Sequence, residues 1–140
     1  PANSAGRKVL VDRPAPYWYT AEEIVRVTAR GLEESQGEAL RWMVEGINLL
    51  KDARERNDLE RALVEPETRI DVRWDTLIAA SIRYRLRRMG VTPPQWTFKE
   101  PLETMWFISG VLPSKVATAI NLAPPELARV GIYLPEPALQ

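Results

Sequence analysis

Neither cysteine nor histidine occurs among the 140 residues. Without cysteine there is no disulfide, no thiolate nucleophile and no zinc–cysteine site. Without histidine the chain lacks the commonest general base near neutral pH and the commonest metal ligand, so a Ser-His-Asp triad cannot form. Long apolar runs are missing as well. Met105-Trp106-Phe107-Ile108 is typical of the stretches present, and about twenty apolar residues are needed to span a bilayer. No secretory signal opens the chain, no Gly-rich phosphate loop is found, and no internal repeat is visible. These absences point to a cytoplasmic, non-membrane protein with no cofactor and no metal.

A chain of this length buries roughly two thirds of its unfolded surface and folds without covalent staples. Net charge is zero, but it is distributed in blocks. Residues 20–67 carry twelve acids against seven bases, whereas residues 68–90 carry six arginines against Asp71 and Asp75. Such blocks bias docking more than fold. Fifteen of the nineteen bases are arginine, the side chain suited to paired contacts with carboxylates.

Apolar periodicity predicts an all-α fold, an irregular or orthogonal bundle of five to seven helices, some short, with extended terminal arms. Residues 1–19 read as a flexible or extended arm, 20–134 as one helical domain and 135–140 as a tail. The start at Pro1 leaves open both a processed chain and a piece of a longer protein. Val9-Leu10-Val11 is expected in the arm, and Tyr17, Trp18 and Tyr19 need burial against the first helices.

Thr20 and Glu23 have capping-box spacing, so a first helix is expected from Thr20 to near Leu32, with Glu22–Arg26 paired on its polar side. Gly31 is either a packing contact or a weakness there. Leu40, Met43, Val44, Ile47 and Leu50 form the apolar stripe of a second helix from about 35 to 53. A third covers about 57–64. The fourth runs from about 71 to 89, with Asp71 as N-cap and Gly90 just past its end. Its apolar side holds Trp74, Leu77, Ile78, Ser81, Ile82, Arg85, Leu86 and Met89, which places Arg83, Arg87 and Arg88 outward and makes Arg85 a buried or interfacial ion-pair partner. Residues 91–101 read as a loop anchored by Trp96. Short helices are expected over 101–109, from 113 or 114 to Asn121, and from Pro125 to Gly131, with Ile132-Tyr133-Leu134 extended after it.

No arrangement of these residues supports catalysis. Glu33, Glu34 and Glu38 lack a matching carboxylate set on another helix. Ser114 and Lys115 are adjacent and point apart on a helix. The segment 114–131 resembles helix–turn–helix spacing, but its second helix is short and carries one base, Arg129, too little for a recognition helix. The remaining signals are five tryptophans and the run Arg83, Arg85, Arg87, Arg88. Aromatic and arginine side chains concentrate in protein interfaces. Trp42, off the centre of the second helix's stripe, and Arg83, Arg87 and Arg88 are therefore the interaction candidates. The partner expected is a protein or a second copy of the chain. Nucleic acid bound by the arginine-rich helix 71–89 is the alternative, and an enzyme with a carboxylate-based site is a further one.

In the carboxy-terminal half, Pro94-Gln95-Trp96-Thr97, Pro101-Leu102-Glu103-Thr104-Met105-Trp106-Phe107 and Ala123-Pro124-Pro125-Glu126-Leu127-Ala128-Arg129-Val130-Gly131-Ile132-Tyr133 resemble the tail of a group of uncharacterised bacterial proteins. Arg73-Trp74-Asp75-Thr76-Leu77-Ile78-Ala79-Ala80 is similar to the segment preceding that tail. The likeness covers residues 70–134. Members of the group sometimes follow a Cro/repressor-like helix-turn-helix domain, which these 140 residues do not contain. The resemblance implies an accessory role in a transcriptional-regulatory or toxin–antitoxin-type system and supplies no catalytic residue.

Overall fold

A computed structural model of the chain describes residues 18–53, 55–108, 123–134 and 139. Its three longest helices begin where side chains can satisfy free backbone amides. In α1, Ala21–Leu32, Thr20 Oγ1 accepts from the Glu23 amide at 3.1 Å while Glu23 Oε1 accepts from the Thr20 amide at 2.9 Å. In α2, Gln36–Asn48, Ser35 caps the Glu38 amide at 3.0 Å. The helical path tightens after α2 into a 3-10 turn, Leu49–Asp52. The short α3, Arg56–Ala62, follows. In α4, Val72–Met89, Asp71 caps the Trp74 amide at 2.8 Å, and the helix ends at Gly90, whose φ of 72° is a left-handed conformation that glycine adopts without strain.

Helices α1 and α2 pack as an antiparallel pair: Gly31, near the end of α1, meets Ala39, near the start of α2, and Gly46, late in α2, meets Ile24, early in α1. Gly31 is a packing contact. A Cβ built on it would stand 2.7 Å from the Ala39 Cα and 2.8 Å from its amide nitrogen, so only glycine admits this approach. Trp18 is buried in the core and Tyr19 packs against it.

The centre of the molecule is α4. It packs against α1, α2, the 3-10 turn at Leu49–Asp52, a second 3-10 turn at Gln95–Thr97, and the short α5, Pro125–Ala128. Eleven of its residues are buried, and they lie all around its circumference. Trp96 anchors the loop after α4 by donating from its indole nitrogen to the Leu63 carbonyl at 2.8 Å.

Of the helix expected over 101–109, the described residues 101–108 form none. Residues 106–107 are instead a two-residue strand, β1, Trp106–Phe107, paired in parallel with β2, Ile132–Tyr133, in the register Trp106 to Ile132 and Phe107 to Tyr133. The Trp106 amide donates to the Gly131 carbonyl at 2.8 Å and the Ile108 amide to that of Tyr133 at 3.2 Å. Leu102, Met105 and Trp106 imitate helical spacing. Along 105–108, however, burial alternates: Met105 is exposed while Trp106 and Ile108 are buried, the period of a strand. Trp106 meets Trp74 edge-on at 5.3 Å, and Phe107 stacks on Tyr133 at 4.9 Å.

The molecule is therefore a mostly helical, irregular bundle with one minimal parallel strand pair among the described residues. The arm containing Val9-Leu10-Val11 and Tyr17, the helix expected near 114–121 with Ser114 and Lys115, and the tail at 135–138 lie outside the described residues.

Candidate functional site: an arginine-lined cleft

Arg83 and Arg87 stand four residues apart, so α4 presents both on the same face one turn from each other. Gly90 then turns the chain, and Val91, Thr92 and Pro93 form one wall beyond the helix end. Phe98, just after the 3-10 turn, forms another. Pro125, Glu126 and Arg129 of α5 and its last turn close the third side. The result is an open cleft of about 570 Å³.

Its charges are arranged unequally. Arg87 Nε donates to Glu126 Oε2 at 2.5 Å and its terminal nitrogen to Oε1 at 3.4 Å, a fork-like pair. The Glu126 side chain is almost fully buried and Arg87 is half exposed. Arg83 is only 5% exposed. Its Cζ lies 4.6 Å from the centre of the Phe98 ring, a cation–π contact on a ring that is itself 49% exposed. Among the described residues Arg83 forms no ion pair and no side-chain hydrogen bond. None of its nitrogens is sealed from solvent without a partner, as Nε of Arg85 is. Its donors therefore open onto the cleft it lines. Burial pulls the Arg83 guanidinium below its usual value, Glu126 opposes that shift, and Arg129 adds to it.

The outward placement expected for Arg83 is corrected by this burial. The expectation took the side opposite the apolar stripe as solvent, but α4 is packed on both sides. Its far face meets Phe98 and α5. Arg85 also differs from expectation. Its terminal nitrogen donates to the Asn48 side-chain oxygen at 2.5 Å and to the Leu139 carbonyl at 3.4 Å, neutral acceptors rather than a carboxylate. Arg87 and Arg88 are exposed as expected. Arg88 is not among the cleft's lining residues.

Trp42 is half buried on α2, at the edge of the stripe, with Arg41 Cζ 5.1 Å from its ring. Arg41 is held there by Glu38 at 3.0 and 3.2 Å. Trp42 does not line the cleft. Phe98 and Glu126 went unnoticed in the sequence, and Arg129 was weighed only as a lone base. Their signal is tertiary, because α5 reaches α4 across a long span of chain.

A second concavity of about 630 Å³ lies across the Val91–Thr92 segment, between α3 and Pro94. Its charged groups, Arg56 and Glu60, face one another at 3.6 Å. It holds no convergent charge.

Among the described residues no group of acidic side chains could hold a metal ion, and no helix is long and apolar enough to cross a membrane. Comparison with known protein families, with curated proteins and with solved structures finds no match to this chain.

Proposed function

We propose that this chain is a non-enzymatic protein-interaction domain that docks an acidic segment of a protein partner in the arginine-lined cleft. The supporting observation is Arg83: a buried guanidinium with no hydrogen bond of its own among the described residues, set behind a half-exposed phenylalanine. Its N–H donors form a fixed fork open to the cleft, and a ligand carboxylate or phosphate can be held by that fork bidentately. Aromatic rings flanking arginines are also the groups on which binding energy concentrates. The partner acts through Arg83, Phe98 and Arg129, with Arg87 and Arg88 at the rim. The resemblance of residues 70–134 to bacterial proteins that sometimes follow a repressor-like domain agrees with an accessory role in a regulatory or toxin–antitoxin-type system.

Nucleic-acid binding by α4 fits the geometry less well. A helix that reads phosphates needs its bases on one solvent-facing stripe, and here Arg83 is buried, Arg85 is turned to Asn48, and Arg87 is paired with Glu126.

Charge reversal at the exposed Arg129 tests the proposal. The full chain carrying Arg129→Glu should lose the partner that co-purifies with the native chain from cells of its source, with helix content unchanged by circular dichroism. Arg61→Glu, on α3 away from the cleft, should retain it. Equal recovery with both variants would remove the cleft from the interface.

A further inference from the structure

The cleft's chemistry narrows what part of an acidic partner it receives. Among the described residues Arg83, Arg87 and Arg129 bring three positive charges against one from Glu126, a surplus of two. A single carboxylate neutralises half of that. The donors also come from different elements: Arg83 from α4 and Arg129 from the residue that follows α5. Arg87 already gives its fork to both oxygens of Glu126. A carboxylate brings one charge and two oxygens lying in one plane, whereas a phosphate monoester brings close to two charges and three outer oxygens to donors arrayed around it. The walls supplied by Val91, Pro93 and Phe98 suit an organic group carrying that anion better than a free ion.

We propose that the cleft is a binding site for a phosphate monoester dianion, presented as a phosphorylated side chain of the partner. This rests on reading the cleft as the partner-docking surface. Phosphorylation would then act as the switch for docking, since a phosphorylated side chain carries close to two negative charges near neutral pH and three strong acceptor oxygens. Arg83 supplies a fork of donors open to the cleft, Phe98 lies against that guanidinium, and Arg129 adds a second cation from the residue after α5. Glu126 sets the position of Arg87.

The absence of histidine gives the test an unusual handle. Among the described residues the charged groups facing the cleft are Arg83, Arg87, Arg129 and Glu126, and no imidazole exists anywhere in the chain to titrate near pH 6. The second ionisation of a phosphate monoester falls at about pH 6. A rise in affinity across that range therefore reports the ligand's own charge.

The experiment is a titration of the full native chain with phenyl phosphate, with acetate as the carboxylate probe, at constant ionic strength. It is followed by NMR of the Arg83 Nε–H and the Thr92 amide. Phenyl phosphate should shift both signals saturably, bind roughly tenfold or more tighter than acetate, and weaken as pH falls below about 6. Arg83→Lys, which keeps charge but loses the fork, should cost most of that affinity. Arg129→Ala, at an exposed position, should weaken it without touching the core, so the test stands even if Arg83→Lys unfolds the chain. Equal affinity for acetate and phenyl phosphate with no pH step would overturn the phosphate assignment and leave the docking of an acidic segment intact. Absence of shifts with both probes would overturn the anion site altogether, while loss of the partner on Arg129→Glu would still locate the docking surface at the cleft.

Discussion

Glu22 shows how much one carboxylate can tie together. Its oxygens accept from the Thr68 hydroxyl, from the Thr68 amide at 3.1 Å, from the Glu67 amide at 2.8 Å and from Arg26 Nε at 2.7 Å. The Thr68 hydroxyl contributes most, then the Thr68 amide and Arg26, and together they hold the Glu22 carboxyl down to about 2. The folded value lies below the unfolded one, so the stabilisation is complete above about pH 4.5 and is lost as pH falls from there toward about 2. Glu22→Gln should therefore melt below the native chain at neutral pH, and the two curves should converge in acid. A gap in melting temperature that stays constant down to pH 2 would contradict this. The i,i+4 partnership of Glu22 with Arg26 was legible from spacing. The bond to Thr68, more than forty residues away, had no local signal. Arg83 failed in the same way. Its position on α4 was readable, but what covers that side of the helix was not.

At the scale of elements, local chemistry was the reliable guide. The capping box at Thr20, the Asp71 cap, Gly90 past the end of α4, and Pro125 opening α5 all stand where spacing predicted them. Each depends on residues within one turn. The 101–108 segment defeated the same logic because a strand of two residues exists only through its partner, and β2 lies far along the chain. Gly31 was ambiguous for a related reason, since its meaning depends on the opposing helix. With Ala39 backbone atoms at 2.7 and 2.8 Å from a built Cβ, there is no flexible side chain to yield. Gly31→Ala should destabilise the chain by about 1–3 kcal/mol, the usual cost of overpacking, despite alanine's better helix propensity. Chemical denaturation would show this as a lower midpoint at unchanged slope, and an unchanged or raised midpoint would mean that the two helices separate at little cost.

At the scale of the molecule, the two charge blocks meet among the described residues in one local ion pair, Arg69 with Glu65 at 3.3 Å. Most carboxylates of the acidic region that form ion pairs do so within one helical turn or its equivalent, as Glu22 with Arg26, Glu38 with Arg41 and Asp58 with Arg61. Exposed pairs of this kind stabilise little. Among the ion pairs of the described residues, Arg87–Glu126 is the one that joins distant segments, and it lies in the cleft. Three of the five arginines of α4 go instead to aromatic faces and neutral oxygens: Arg73 over Trp106 at 4.1 Å, Arg83 over Phe98, and Arg85 to Asn48. Block charge was thus readable from the sequence, but its destination was not, because pairing depends on which surfaces the fold brings together. The positive surplus collects at the end of α4, around a ring left half open. The most direct measurement of the claim that this cleft is the docking surface is site-specific photo-crosslinking in the full chain, with a benzophenone side chain replacing Phe98 or, as the control, the exposed Val72 at the opposite end of α4. The account predicts a discrete protein adduct from position 98, lost when Arg129→Glu is added, and none from position 72. Adducts formed equally from both positions, or formed at 98 regardless of Arg129, would contradict it.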